Sequence, residues 1–532
     1  CEGLVGSEMC IRDSNYMDFT EPLNFKIDRQ YISNEDLVKR VNEFKYDSEE
    51  GKFSGEEYHE FFKKFGRYLI IEKPSFLSNL RFLLEYQIGY MYIRYFMWNF
   101  TGRQNDVAGT YTPLDGNWIS GIPFIDSLRL GNQRELDSDA LNNKARNTYY
   151  FLPFILGLIG LFYLYKIDPK KFWVLLLFFL FTGLALKVYL NERPFEPRER
   201  DYALVGSFYV FSIWIGFGAL SLVNGLKKFK KSKLLKPTIT ILCFICVPLL
   251  MAFQNWDDHD RSNRYTAQSI AKSYLSSIQE DTGAIIFTIG DNDTFALWYA
   301  QEIEGYRTDV RTINTSLLAT DWYIDQTKRK TYKSNPIKSQ LKHKLYAYGV
   351  RDYIKYESLT DSLRWDIKDF INWVASDDER TKFKSLILQS GGSPSDYPKN
   401  TQEMVFYPTN KIRVSVNKEN VLKSGIVASK DADEIVSHID IDLPKTGITK
   451  NQLLMLDILA NNDWSRPIYF TGGSYDSSEY IWMKEYLQLD GLVYKLVPIK
   501  TPLSANNPYL MGRIDSDLMY DIVKQWSWGN SD

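Results

Sequence analysis

The sequence predicts an α-helical membrane domain followed by a water-facing α/β domain with a Rossmann-like sheet. Two observations lead to this prediction. The long apolar runs of the 532-residue chain are confined to residues 149–253, and each is long enough to cross a bilayer. After residue 253 the chain is polar and alternates short apolar strands with helices, a rhythm that is typical of βαβ units. Strands are predicted at 284–289, 309–314, 412–416, 437–441, 467–471 and 492–498, and residues 332–390 are predicted to be helical and charged.

Four apolar runs are predicted to span the membrane. The hydrocarbon core is about 30 Å thick and needs roughly 17–25 helical residues at 1.5 Å each. Soluble core helices rarely run this long without a charge, so four runs in succession favour a membrane domain. The runs are Tyr149–Tyr165, Phe172–Leu190, Tyr202–Val223 and Pro237–Phe253.

The charges of the connecting loops predict how these spans are oriented. Loop 166–171 carries three lysines and one aspartate, and loop 225–236 carries six lysines and no acid. Loop 191–201 instead mixes four acids with three arginines. Because lysine-rich loops stay in the cytoplasm, loop 191–201 and the polar parts before and after the spans are predicted to lie outside. These external parts share one side and can build one site together.

The first fourteen residues are not expected to belong to the natural protein. Leu4–Ser14 reads LVGSEMCIRDS, which looks like a translated sequencing adapter. Residues 1–14 are therefore set aside, and the chain is expected to be the C-terminal part of a longer protein. The domains predicted after this peptide are an extracytoplasmic, interfacial helical segment at 15–148, four transmembrane helices at 149–253 and an extracytoplasmic α/β domain at 254–532.

Composition and the absence of known motifs exclude several classes of protein. A formal net charge of −2 gives no sign of nucleic-acid binding, and four cysteines are too few for a disulfide-built scaffold. The four histidines are scattered without metal-ligand spacing. No P-loop, nucleophile elbow or glycine-rich dinucleotide motif occurs in the sequence. We therefore expect no resident cofactor and no dedicated metal site.

The segment before the first span combines aromatic residues with arginines. Residues 76–100 are apolar but include several charges, so an interfacial or re-entrant helix is expected there. Arg94 and Arg103 accompany Trp98 and Phe100, a mixture that can bind a sugar or a lipid headgroup. Anchoring at the membrane interface explains the aromatic residues equally well.

The loop Pro194–Tyr202 (PFEPRERDY) is the strongest candidate site in the sequence. Arg198 and Arg200 would lie at the membrane surface, where their forked donors match the oxygens of a lipid phosphate. Glu196 and Asp201 can orient these arginines or act on an acceptor hydroxyl. The alternative is a solvated loop with internal ion pairs.

A second candidate site follows the first strand of the α/β domain. Asp291, Asn292 and Asp293 would lie at the carboxyl edge of the sheet, where open α/β folds bind ligands. An Asp-x-Asp pattern there is similar to the divalent-metal motif of nucleotide-sugar glycosyltransferases, although nucleotide sugars are cytoplasmic and this loop is predicted to be external. Asp293 and Thr294 also suffice to cap the following helix. Metal binding, polar-ligand binding and capping all remain open.

Several segments resemble a family of large bacterial membrane proteins catalogued as domain of unknown function 2723. The similarity extends over essentially all of residues 15–532. The segments are YMYIRYFMWNFTGRQND (90–106), DGNWISGIPFID (115–126), NERPFEPRERDY (191–202) and GDNDTFALWYAQEIEGYRTDVRTINTSLLATDWYID (290–325).

This family is similar to protein O-mannosyltransferases of the class C glycosyltransferase superfamily. The resemblance implies transfer of a sugar, mannose in those enzymes, from a polyprenyl-phosphate donor to Ser or Thr of exported proteins. It also implies a multi-pass protein of the bacterial inner membrane whose N- and C-terminal polar parts are periplasmic. The partners would be the lipid bilayer, the lipid-linked sugar and the acceptor proteins, with no nucleic acid.

The residue that performs catalysis is not expected in this chain. Class C enzymes carry their catalytic acid in the first extracytoplasmic loop, which would precede residue 15. The alternative function is a non-catalytic, membrane-anchored module that binds a glycan or a protein of the cell envelope. A transporter is disfavoured because Lys187 is the only charge that approaches the middle of a predicted span.

Overall fold

A computed structural model describes most of the chain, which divides into two compact units, Cys1–Asp260 and Arg261–Asp532. The adapter-like peptide 1–14 lies outside the described residues, and so does loop 193–199 with Glu196 and Arg198. The described residues are 25–32, 34–49, 61–71, 75–107, 109, 113–192, 200–225, 234–359, 363–472, 476–503 and 511–526.

The first unit is mainly helical and contains the apolar part of the chain. Its described helices are α1 (Glu35–Glu49), α2 (76–100), α3 (Pro123–Leu130), α4 (Ser138–Leu141), α5 (Leu152–Ile167), α6 (Pro169–Leu190), α7 (Asp201–Gly225) and α8 (Leu235–His259). Two short antiparallel pairs accompany them, β1 (Phe25–Ile27) with β2 (Leu69–Ile71) and β3 (Gly102–Arg103) with β4 (Asn147–Thr148).

Three of the helices, α6, α7 and α8, are long and apolar enough to cross a membrane, which indicates a membrane protein. In the most apolar 18-residue stretch of each helix, the rest of the chain buries only 11% in α6 and 6% in α8. Such exposed apolar surfaces are expected where lipid covers a helix. Helix α5 is also apolar but has only 16 residues. It is short because Tyr150 and Phe151 adopt left-handed backbone conformations and delay its start to Leu152. The described residues thus contain three membrane-length helices where the sequence predicts four spans.

Helices α5 and α7 pack closely because each presents glycine to the other. A Cβ atom on Gly160 would overlap the carbonyl oxygen of Trp214, and one on Gly218 would overlap that of Leu156. Small residues that let two backbones approach are a common basis of helix packing in membranes.

Aromatic rings attach helix α2 to this bundle. The ring centroid of Phe96 lies 4.7 Å from that of Phe211 on α7 and 5.9 Å from that of Phe179 on α6. At the other end of α2, Arg81 and Glu85 form an exposed ion pair at 3.0 Å. The C-terminal half of the helix is therefore mostly buried, whereas its N-terminal half is more exposed.

The second unit has mixed α/β structure. Its described helices are α9 (Thr266–Ser276), α10 (Asp291–Glu302), α11 (Asp321–Thr327), α12 (Ile367–Ala375), α13 (Phe383–Gln389), α14 (Lys399–Gln402), α15 (Lys418–Lys423), α16 (Lys450–Asn462) and α17 (Ser516–Lys524). Its described strands are β5 (Ile285–Thr288), β6 (Arg311–Asn314), β7 (Tyr353–Tyr356), β8 (Trp365–Asp366), β9 (Phe406–Tyr407), β10 (Lys411–Ser415), β11 (His438–Asp442), β12 (Gly447–Thr449), β13 (Ile468–Thr471), β14 (Leu487–Asp490), β15 (Val493–Leu496) and β16 (Arg513–Ile514).

The largest sheet has six strands in the order β16-β14-β15-β13-β5-β6. Strands β13, β5 and β6 are parallel, as the βαβ rhythm predicts. Strand β15 is antiparallel to both β13 and β14, so the sheet is mixed and not a parallel Rossmann-like sheet throughout. The reason is local: only Gly491 and Leu492 separate β14 from β15, and so short a connection can only make a hairpin.

The remaining strands form two three-stranded sheets, β11-β10-β8 and β12-β7-β9. The strands predicted at 412–416 and 437–441 therefore pair with each other and not with the main sheet. The helical interpretation of 332–390 is wrong for much of that stretch, which contains β7, β8 and only short helices. Positive φ angles at Tyr332, Gly349 and Arg351 interrupt any continuous helix there.

We predict that Gly160→Ala destabilises the membrane-spanning unit, because the added methyl group has no room against α7. Overpacking of this kind costs about 1–3 kcal/mol. Gly216→Ala on α7 is the matched control, since nothing lies within 4 Å of its Cβ position and alanine favours a helix. Thermal unfolding in lipid nanodiscs should show a lowered midpoint for Gly160→Ala alone. Equal midpoints in both variants would contradict the close packing of α5 and α7.

Candidate functional site

A cluster of polar side chains joins the end of α6 to the start of α7. Lys187 and Glu192 form an ion pair, and Nε of Arg200 lies 3.9 Å from Oε1 of Glu192. On the neighbouring helix α2, Nε2 of Gln87 donates a hydrogen bond of 2.8 Å to Oδ1 of Asn191. These five residues, the loop-anchor cluster, tie both described ends of loop 191–201 to the helices.

The local backbone explains why the chain turns at this point. Asn191 adopts a left-handed conformation with φ of 40°, and its N–H reaches the carbonyl oxygen of Lys187 at 3.3 Å. Asparagine tolerates this conformation better than most residues and often ends a helix in it. The turn places Glu192 beside the lysine one helical turn back, so the loop begins with its acid already paired.

Burial makes this ion pair obligatory. The side chains of Lys187 and Glu192 are only 2% and 5% exposed, and a charge this deep is stable only with a partner. The side chain of Arg200 is 41% exposed. Arg200 is therefore the most exposed of the three charged residues.

Asp201 begins α7 and belongs to the helix start. It is exposed, and its Oδ1 accepts the N–H of Tyr202 at 3.1 Å. A carboxylate in the first turn interacts favourably with the helix dipole. Of the predicted phosphate-binding loop, the structure therefore brings together Arg200 and the start of α7, while Glu196 and Arg198 fall outside the described residues.

Arg94 connects helix α2 to the loop that contains Gly116. Its guanidinium donates 2.6 Å to the carbonyl oxygen of Gly116 and 3.1 Å to that of Tyr90, and it lies over the rings of Tyr90 and Trp98. The residue is 6% exposed. This burial and these contacts suit a residue that positions the chain, and they differ from the headgroup contact predicted for Arg94.

Arg103 makes a similar connection to α8. It forms an ion pair with Asp258 near the end of that helix and donates 2.9 Å to the carbonyl oxygen of Ala145. Nearby, Nδ2 of Asn255 donates 2.7 Å to the hydroxyl of Tyr149. Polar side chains therefore secure α8 to the segment that leads into α5.

The described residues between β3 and α3 make polar contacts whose partners could not be predicted from the sequence. Both carboxylate oxygens of Asp126 are used, because the N–H groups of Ser120 and Gly121 donate at 2.8 Å each. Asn105 also pairs with Asp115 at 2.8 Å. The sequence feature that indicates such contacts is the high density of Asn, Asp and Gly in this stretch. Asn and Asp form local turns through side-chain hydrogen bonds, and Gly permits the backbone conformations that turns need.

In the second unit, the Asp-Asn-Asp segment forms the first turn of α10. The carboxylate of Asp293 accepts the N–H groups of Ile289 at 3.1 Å and Gly290 at 3.2 Å, and it also accepts the hydroxyl of Thr471. Asp291 and Asn292 are exposed. Asp293 thus acts as a cap that also fastens the helix to β13.

The described residues contain no group of three or more His, Cys, Asp or Glu side chains arranged to hold a metal ion. At the start of α10, Asp293 already engages four protein donors, which leaves it poorly placed to serve as a metal ligand. A divalent ion at Asp291 and Asp293 therefore remains a hypothesis that the geometry of Asp293 does not favour.

One comparison with known proteins gives a match. Residues 267–518 match a family model described as TMEM260-associated domain 2, and this range covers most of the second unit. No curated protein and no solved structure matches the chain. The second unit is therefore similar to a TMEM260-related family.

We predict that Asp293→Ala lowers stability while Asp291→Ala does not. Removing a capping carboxylate costs about 0.5–2 kcal/mol, whereas the exposed Asp291 contributes only through the helix dipole, a few tenths of a kcal/mol. Thermal unfolding of the full chain, with and without Mn²⁺, measures both effects. A metal site would instead show Mn²⁺ raising the wild-type midpoint, with that rise abolished in both variants.

Proposed function

We propose that this chain is the C-terminal part of a membrane glycosyltransferase that moves a sugar from a polyprenyl-phosphate donor to Ser or Thr of exported proteins. The observation that carries the proposal is Arg200, half-exposed beside the buried Lys187–Glu192 pair at the ends of two membrane-length helices. A lipid-linked phosphate would lie at that depth, with its prenyl chain in the bilayer and its charge at the surface.

The chemistry of the transfer explains what such a cluster would do. The acceptor oxygen attacks the anomeric carbon, the bond from that carbon to the phosphate oxygen breaks, and the hydroxyl proton passes to a base. The departing polyprenyl phosphate gains negative charge as its bond breaks. Arg200 would stabilise this charge through charge-assisted hydrogen bonds, and Glu192 would hold the guanidinium in place.

The base would come from elsewhere in the protein. Glu192 is ion-paired with Lys187 and lies near Arg200, and we assign it to holding these two cations. The resemblance implies that the catalytic acid lies in an earlier loop. The proposed role of the chain is therefore donor-phosphate binding.

The proposed sugar, the proposed membrane and the proposed orientation rest on the sequence resemblance. Similarity to domain of unknown function 2723 and to protein O-mannosyltransferases supports mannose as the sugar. It also supports the bacterial inner membrane, with the loop-anchor cluster and the second unit on the periplasmic side. The match to TMEM260-associated domain 2 concerns the second unit alone, and its description carries no activity.

A membrane-anchored binding module is the second candidate. The observation that favours it is that Glu192, the buried carboxylate of the cluster, is ion-paired with Lys187. Such a module would recognise an envelope glycan or protein without transferring anything. Activity of the full-length protein separates the two candidates.

We predict that Arg200→Ala reduces sugar transfer at least about 10-fold, since removal of one donor to a developing charge costs up to 10²–10³-fold in a fully enclosed site. The full-length protein would be reconstituted with polyprenyl-phosphate mannose and a Ser/Thr acceptor peptide. Arg200→Lys should retain part of the activity, and combining Arg198→Ala with Arg200→Ala should lower it further.

Arg134→Ala is the matched control, because Arg134 is an exposed arginine of the same unit outside the cluster. Its activity should equal that of the wild type. Full activity in Arg200→Ala would reduce the loop to a scaffold. No transfer from any lipid-linked sugar by the folded protein would favour the binding module.

A further inference from the structure

A cleft opens along the edge of the main sheet in the second unit. Strand β6 is the last strand of that sheet, so no further strand covers its outer side. Helix α10 before it, helix α11 after it and the segment 331–334 enclose a space of about 460 Å³. Small-molecule sites typically occupy about 300–1,000 Å³, so the cleft is large enough for a ligand.

Four aromatic side chains line this cleft. They are Trp298 on α10, Trp322 and the buried Tyr323 on α11, and Tyr332 in the following loop. Trp322 is 56% exposed and Tyr332 is 55% exposed. Exposed ring faces beside a cavity offer a surface on which a flat ligand can stack, and covering them removes apolar area from water.

The cleft is also lined by polar side chains that can form hydrogen bonds with the hydroxyl groups of a ligand. Glu302 lines the cleft and accepts the hydroxyl of Tyr332, which leaves its carboxylate further acceptor capacity. Gln326, Thr308 and Thr331 also line it, and their side chains form no hydrogen bonds with other described residues. An amide and hydroxyls both donate and accept, which is what a ligand rich in hydroxyl groups requires.

The floor of the cleft contains a buried arginine. Nη2 of Arg311 donates to the carbonyl oxygens of Gln326, Thr327 and Arg329 at 2.7–2.9 Å. Its Nη1 is buried and has no hydrogen-bond acceptor among the described residues. Burial lowers the pKa of this guanidinium from its ordinary value. A buried donor without an acceptor is costly, and this arginine contributes to the lining of the cleft.

These features select one class of ligand. A lipid tail would leave the amide, hydroxyl and carboxylate groups unpaired, and an anionic ligand would meet Glu302 at the rim. A neutral sugar has an apolar ring face that stacks on Trp or Tyr and hydroxyls that pair with amides and carboxylates. We propose that this cleft is a binding site for a neutral saccharide.

The proposed site stands on the geometry of the cleft and does not depend on glycosyl transfer. The loop-anchor cluster is in the first unit, and the cleft is formed entirely by residues of the second. If both proposals hold, the second unit recognises sugar already present on a glycan or acceptor while the first binds the donor phosphate.

The test measures saccharide binding by the full chain in lipid nanodiscs. Nanodiscs are needed because the common maltoside detergents are themselves saccharides. Mannotriose, cellotriose and chitotriose are the probes, and saturation-transfer NMR with calorimetric titration is the readout. We expect the wild type to bind at least one of them, and Trp322→Ala to weaken that binding about tenfold or more.

Trp322→Phe should retain part of the affinity, since a smaller ring still stacks. Tyr397→Ala is the matched control, because Tyr397 is an aromatic residue of the same unit that is 46% exposed and does not line the cleft. Unchanged thermal midpoints would show that each variant is folded. Failure of all three trisaccharides to bind the wild type, or equal affinity in Trp322→Ala, would overturn the proposal. Sugar transfer from the lipid donor by Trp322→Ala tests the other proposal separately.

Discussion

A buried charge pair is the constraint on which the geometry of the membrane-spanning unit depends. A lysine near the end of an apolar helix cannot remain charged and solvent-free unless an acid reaches it. Lys187 meets that condition through Glu192, which follows the helix by two residues. The loop must therefore fold back at Asn191, and this turn fixes where α6 ends and how the loop begins.

The other polar contacts of the unit follow the same principle. Gln87 reaches Asn191, Arg94 reaches the carbonyl oxygen of Gly116, and Arg103 reaches Asp258. Each ties a polar segment to an apolar helix, so that polar groups near the bundle find partners inside the protein. The close approach of α5 and α7 then depends on glycines and shape, since lipid offers no hydrophobic drive for helices to associate.

Local patterns in the sequence identified most of the elements but not their long-range partners. Apolar runs predicted the membrane-length helices, and alternating patterns placed β5, β6 and β13 within one or two residues of their observed positions. The ion pair of Arg103 joins residues 155 positions apart, and no local pattern indicates such a partner. The antiparallel half of the main sheet was not predicted, because the βαβ interpretation did not take the two-residue connection between β14 and β15 into account.

The sequence indicated the three candidate sites to different degrees. The charges of loop 191–201 are conspicuous in the sequence, and Arg200 directly precedes the membrane-length helix α7. In the other prominent motif, Asp293 acts as a helix cap. The cleft beside β6 had no motif, because Trp298, Trp322 and Tyr332 become neighbours only when the edge strand brings α10 and α11 together.

The most direct test of this account is a double-mutant cycle on the buried pair. Unfolding free energies in lipid nanodiscs would be measured for Lys187→Met, Glu192→Gln and the double variant. Breaking a buried pair typically costs about 3–5 kcal/mol, so each single variant should be destabilised more than the double variant, with a coupling of about 2 kcal/mol or more. The exposed pair Arg81–Glu85 is the control, with an expected coupling near 0.3–0.5 kcal/mol. Additive effects at Lys187 and Glu192 would contradict the central role assigned to their interaction.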